Sequence, residues 1–222
     1  MDPTKLKDTV EMLRLNWEIR RGLSGDEHPK SNEAAEQLAG IYFAIGKLDE
    51  AFALLRIALQ SRRKRFGDKH EDTQRDLLVV GQWCRQMGHS EEAIALLESL
   101  MASLMANTKP EDGDPKVLEC RSLLGFAYGD MGRLKEATEQ LQAALQLIPE
   151  TLADNPEYAW LLRNDIACTY RQFGLVEQCE SVEFYLRNTK PTVDLLQAGL
   201  RKWTRKVIGY EFSSLLYVNF KL

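Results

Sequence analysis

The stretch Gly25-Asp-Glu-His-Pro-Lys-Ser31 returns as Gly67-Asp-Lys-His-Glu-Asp-Thr73, an offset of 42 residues. The same offset carries Tyr42 to Cys84, Gly46 to Gly88, Ala51 to Ala93 and Leu55 to Leu97. A further 44 residues lead to Tyr128, Gly132, Ala137 and Leu141, and another 42 to Tyr170, Gly174, Cys179 and Glu183, where the last two places are degraded. A fixed period of this length marks a chain built of stacked supersecondary units, none of which can bury its own apolar face.

The recurring positions have physical roles. Ala39, Gly81, Gly125 and Ala167 sit where two helices approach too closely for a larger side chain, and Leu38, Val80, Leu124 and Ile166 precede them as apolar knobs. Gly46, Gly88, Gly132 and Gly174 stand where a helix must stop, because glycine accepts the left-handed conformation after a C-cap. A second stretch with apolar residues at helical spacing then begins, as in Leu48-Asp-Glu-Ala-Phe-Ala-Leu-Leu-Arg-Ile-Ala-Leu59. The spacing predicts helix pairs at 31–45 with 48–66, 72–87 with 90–107, 115–131 with 134–148, and 156–173 with 175–188. Thr73 with Asp76 reads as a capping box, and all seven prolines lie at segment edges, none in the interior of a predicted helix. The resulting fold is all-α: a right-handed superhelical solenoid of helix-turn-helix repeats. Residues 1–24 read as an N-terminal capping helix, 25–190 as four helix pairs, and 191–222 as a C-terminal capping helix with an apolar tail. In that last segment Val193, Leu196, Leu200, Trp203 and Val207 form one stripe, and the tail offers self-association.

Composition narrows the function. The 222 residues are 44% hydrophobic and 28% charged, which suits a folded protein rather than a disordered one. The net charge of −4 provides no overall basic field for nucleic acid. No uncharged stretch approaches the roughly 20 residues that a membrane span requires, so the chain is not expected to cross a bilayer, and the basic segment 191–222 leaves only a membrane-surface role open as the alternative to capping. Cys84, Cys120, Cys168 and Cys179 are widely spaced, with no Cys-x-x-Cys pair, and fit reduced thiols in a cytoplasmic protein.

Enzymatic signatures are missing. His28 and His70 occupy equivalent places in successive repeats, so they serve the repeat, and His89 stands alone. The sequence holds no phosphate-binding glycine loop, no nucleophile elbow and no His-Glu-x-x-His. The run Arg62-Arg-Lys-Arg65 at a helix end complements the helix dipole. No catalysis, metal or cofactor is expected.

The pattern Leu/Ile-small-x-x-Tyr, then Gly-x-x-x-x-Ala, then Ala-Leu resembles the tetratricopeptide repeat over about residues 12–188. The longer period, and the linker ending at His28-Pro29 and echoed at His70, are similar to the kinesin-light-chain-like subgroup. The Asn-Asn pair of that subgroup's first helices reads here as Glu36-Gln37, Leu78-Val79, Ser122-Leu123 and Asn164-Asp165. A carboxylate clamp of the chaperone type would need Lys and Asn where this chain has Glu36, Gly40, Leu78 and Gln82.

The resemblance implies a concave groove, lined by the first helix of each pair, that takes a peptide segment of a partner protein. In register with Leu38 and Tyr42, its lining is expected from Glu33, Glu36 and Phe43, then Arg75, Gln82, Arg85 and Gln86. Phe126, Asn164, Cys168 and Arg171 complete the set, together with Glu119, Ser122, Asp130 and Gln172. The expected ligand is a mixed-charge segment with an acidic stretch near Arg75, Arg85 and Arg171. The function expected is therefore a non-enzymatic interaction scaffold or adaptor. The alternative is a structural subunit of a larger cytoskeletal or axonemal assembly.

Overall fold

In a computed structural model of the chain, the recurring glycines adopt the left-handed backbone that their register requires: φ is +79° at Gly46, +81° at Gly88 and +71° at both Gly132 and Gly174. The structure describes residues 3–107, 114–186, 191–192, 195, 197–199 and 201–202. Among these there is no strand, and nine helices lie between Pro3 and Leu186. They are α1 (Pro3–Ser24), α2 (Pro29–Ala44), α3 (Leu48–Phe66), α4 (Glu71–Gln86), α5 (Ser90–Asn107), α6 (Pro115–Asp130), α7 (Leu134–Thr151), α8 (Pro156–Gln172) and α9 (Val176–Leu186). Consecutive helices pack antiparallel-fashion as pairs α2/α3, α4/α5, α6/α7 and α8/α9, and each pair stacks on the next. The result is an α-solenoid.

Each pair is closed by the same turn. Lys47 N–H donates to the Tyr42 carbonyl at 2.8 Å, while Gly46 N–H donates to Phe43 at 2.9 Å. His89 to Cys84, Arg133 to Tyr128 and Leu175 to Tyr170 repeat the long bond at 2.7, 2.9 and 2.9 Å. These are the paired bonds of a Schellman motif, and the glycine occupies its left-handed position. The Tyr/Cys place of the repeat thus supplies the carbonyl that terminates each first helix.

The linkers carry caps. His28 Nδ1 accepts from the Lys30 N–H and His70 Nδ1 from the Asp72 N–H, both at 3.2 Å, so each histidine opens the following helix. The cap of α4 is therefore His70 and not the expected box at Thr73. That threonine lies inside the first turn, fully buried, and Asp76 is turned toward Arg62. Asp114 caps α6 in the same way. One proline also departs from expectation: Pro149 lies inside α7, which runs three residues past the predicted end. Proline there withholds a single N–H near the C-terminus, and Leu152 N–H to the Ile148 carbonyl at 2.9 Å still closes the last turn.

One continuous core runs through the stack, from Ala35 and Leu38 through Leu77, Trp83, Leu97 and Leu118 to Leu141, Ile166 and Tyr170. The small residues are where the helices touch. A Cβ on Gly81 would lie 2.9 Å from Leu97, and one on Gly125 would lie 2.5 Å from Leu141. At the C-terminal side residues 197–199 and 201–202 are helical. The Gly199 carbonyl accepts from Asn155 Nδ2 at 2.8 Å, and Lys202 pairs with Asp154 at 3.5 Å, which ties this segment to the start of α8. The expected stripe of Val193, Leu196, Leu200, Trp203 and Val207, and the tail beyond it, lie outside the described residues.

Candidate peptide-binding groove

The first helices α4, α6 and α8 lie side by side, with α6 in contact with both others. Residues three, four and seven apart on a helix share a face, so each helix presents one row to the space between them. Gln82, Arg85 and Gln86 come from α4. Glu119, Ser122, Phe126 and Asp130 come from α6. Tyr158, Leu162, Asp165, Cys168 and Thr169 come from α8, and Gln172 and Phe173 close the end. They enclose an open cavity of about 250 Å³.

The electrostatics of this cavity are uneven. Arg85 donates to the Asp130 carboxylate at 3.2 Å and stacks over the Phe126 ring at 5.4 Å, and its Nε is buried with no acceptor among the described residues. The Tyr158 hydroxyl donates to Glu119 at 2.9 Å. Asp165 has only distant company. Burial raises its carboxyl to about 7, with Glu119 adding to the rise and Arg85 opposing it.

Nine of the expected lining residues meet here: Gln82, Arg85, Gln86, Phe126 and Cys168, with Glu119, Ser122, Asp130 and Gln172. The others lie elsewhere. Phe43 is 6% exposed and packs against Trp83 with ring centroids 4.8 Å apart, as part of the core. Glu36 is paired with Arg62, which also binds Asp76, so one guanidinium serves two carboxylates from α2 and α4. Only the bond to Asp76 has hydrogen-bond geometry. Burial then raises Glu36 to about 7 against the pull of Arg62, with Asp76 adding to the rise. Arg75 pairs with Asp72 of its own helix at 2.6 Å, and Arg171 pairs with Glu183 of α9. Asn164 is half-buried on α8 and does not line the cavity. The three arginines expected to face an acidic ligand therefore each have an acidic partner within the chain.

Sequence reasoning missed Tyr158, Leu162, Asp165, Thr169 and Phe173. The signal was available in the helical spacing: Asp165, Thr169 and Gln172 lie on the same face of α8 as the expected Cys168. Three cysteines, Cys84, Cys120 and Cys179, are buried and all four are unbridged. Among the described residues no group of histidine, cysteine and carboxylate side chains is placed to hold a metal ion, and no helix is long and apolar enough to cross a membrane.

Comparison with known proteins agrees with this geometry. Tetratricopeptide-repeat profiles match residues 30–105, which span α2 to α5, and residues 117–157, which span α6 and α7. The degraded fourth unit, α8 and α9, lies almost wholly beyond the matched span. No curated protein shows measurable similarity over the chain. Among solved structures the fold resembles a candidate kinesin light chain of nearly identical TPR-like repeats from Podosopora anserina, at 23% identity and a TM-score of 0.63, covering 84% of this chain and 90% of that one. A single-substitution variant of that protein superposes with a TM-score of 0.69, at 23% identity over 83% of this chain and 86% of that one. The recurring turn, the close-packed small residues and the two profile matches, which together span just over half of the chain, lead to one assignment: the chain belongs to the tetratricopeptide-repeat proteins and has the fold of kinesin-light-chain-like repeats.

Proposed function

We propose that the chain is a non-enzymatic scaffold that holds a peptide segment of a partner protein between α4, α6 and α8. Tetratricopeptide repeats are protein-interaction modules, and the observation that carries the reading here is the cavity itself. Three successive units contribute to it, and it mixes aromatic walls at Phe126 and Phe173 with the amides of Gln82, Gln86 and Gln172. Apolar walls with a few convergent polar groups are what a linear segment needs. Phe126→Ala with Gln86→Ala should abolish capture of the partner while the thermal unfolding midpoint stays within a few degrees. Retention of the same partner by that variant would contradict the groove reading.

A structural subunit is the second reading, and one observation favours it. On α1, Leu13 and Trp17 pack inward, but Met12, Leu15, Ile19 and Leu23 are 62, 46, 59 and 82% exposed. Exposed apolar side chains gathered on one helix mark a surface that another protein can cover. Light scattering on the purified chain separates the two readings. A monomer supports the transient scaffold, and an oligomer that Ile19→Lys dissociates supports the subunit.

A further inference from the structure

We infer that the cavity between α4, α6 and α8 selects a basic side chain, lysine or arginine, of the peptide it holds, and that Asp165 receives it. This rests on the groove reading above and adds the chemistry of the ligand. Three carboxylates line the cavity, Glu119, Asp130 and Asp165, against one cation, Arg85. That cation already has a carboxylate partner, since its Nη1 is paired with Asp130 at 3.2 Å and it is laid on Phe126, with its Nε left without an acceptor among the described residues. Glu119 already receives the Tyr158 hydroxyl. The Asp165 carbonyl accepts from the Thr169 hydroxyl at 2.8 Å, but among the described residues no donor or cation is paired with its carboxylate. A half-buried carboxylate without a donor is unfavourable, and the upward shift that burial gives it agrees with that state.

An ammonium or guanidinium group would supply the missing donor and cancel the excess negative charge. A ligand carboxylate would meet the opposite situation, with like charge around it and the single guanidinium already paired. Phe126 and Phe173 offer faces for the aliphatic stem of lysine or the plane of arginine. The amides of Gln82, Gln86 and Gln172 can both donate to and accept from a peptide main chain, which favours a side chain within a peptide over a free amine. The sign of the ligand is thus the reverse of the acidic stretch expected from the arginines in the sequence.

The test pans a random peptide display library on the full chain, then measures binding of one selected synthetic peptide by fluorescence polarisation. Its arginine or lysine is exchanged for citrulline or acetyl-lysine, which keep the shape and remove the charge. The expected result is enrichment of a basic residue, a loss of about tenfold or more on neutralising it, and a similar loss with Asp165→Asn. Because asparagine is nearly isosteric, a melt no lower than that of the native chain certifies the fold, and Asp165→Lys with a glutamate-bearing peptide should restore binding. The charged and titratable groups facing Asp165 are Arg85 from α4, Glu119 and Asp130 from α6, and Tyr158 and Cys168 from α8. Binding should strengthen from about pH 6 to about pH 8 in the native chain and not in Asp165→Asn. Selected peptides that bind equally when neutralised, or that carry an acidic residue in place of the basic one, would overturn the inference and leave the groove reading standing. If no peptide is enriched over the Phe126→Ala, Gln86→Ala variant, both fall.

Discussion

Arg85 and Asp130 stand 45 positions apart in sequence and 3.2 Å apart in the groove, joining α4 to the end of α6. This pair removes the one guanidinium of the cavity from service to an acidic ligand. Asp130→Ala should change stability by only about 0.2–1 kcal/mol, because the pair is partly exposed. It should nonetheless raise the affinity for acidic peptides relative to basic ones, measured by polarisation with matched glutamate and arginine probes.

Two glycines separate two physical roles. Gly88 has open space around it and needs only its positive φ, so Gly88→Val costs about 1 kcal/mol or more through backbone strain. Gly125 has ordinary helical backbone and no space: Gly125→Ala drives a methyl into Leu141 and the Ala137 carbonyl, at a cost of roughly 1–3 kcal/mol. Denaturant unfolding should show both losses. Gly125→Val should be far worse than Gly125→Ala, whereas Gly88→Ala should recover part of the loss of Gly88→Val.

Arg62 holds Glu36 and Asp76 together across two units, and removing it strands both carboxylates in a buried site. Arg62→Met should cost about 3–5 kcal/mol at neutral pH. The loss should shrink in acid, where protonation relieves the stranded charges, and a pH series of urea melts would show it.

Glu36 and Asp165 both titrate near 7 in the folded chain. An acid whose folded value is raised keeps its proton longer in the native state, so stability falls as pH rises from about 4 to about 7 and is flat above. Asp165→Asn should therefore be more stable than the native chain by about 1–3 kcal/mol at pH 8 and equal to it near pH 4. A difference that grows toward acid would contradict the burial of this carboxylate.

The units and their turns were legible because they rest on local chemistry: glycine at the left-handed position, histidine at the cap, small residues at the crossing. Pro149 shows the limit, since a single missing N–H in a last turn does not stop a helix already held by Leu145 and Ile148 packing. Side-chain partners were far less legible. Asn32 donates to Ser61 at 2.7 Å and Gln74 to Ser103 at 2.9 Å, a buried bond repeated at the 42-residue offset in the first two units. The matching residue types stood in the sequence, but nothing in it said that they faced inward. Ser103→Ala should leave the Gln74 amide unmet and cost about 1–3 kcal/mol. For the groove, helical spacing was enough to gather Gln82, Arg85, Gln86, Phe126 and Cys168. It could not show that Phe43 points to Trp83, which depends on the pitch between units, nor which of several acidic neighbours neutralises Arg75 and Arg171 within their own units.

Site-specific photocrosslinking tests the central claim most directly. A benzoylphenylalanine at Gln86, inside the cavity, is compared with one at Glu139 on the outer face of α7 and one at Met12 on α1. The scaffold account predicts that position 86 captures one defined peptide segment of a partner, that the adduct is lost with Asp165→Lys, and that position 139 captures nothing. Adducts at position 12 alone, with none at 86, would contradict it and place the interaction on the outer face of α1.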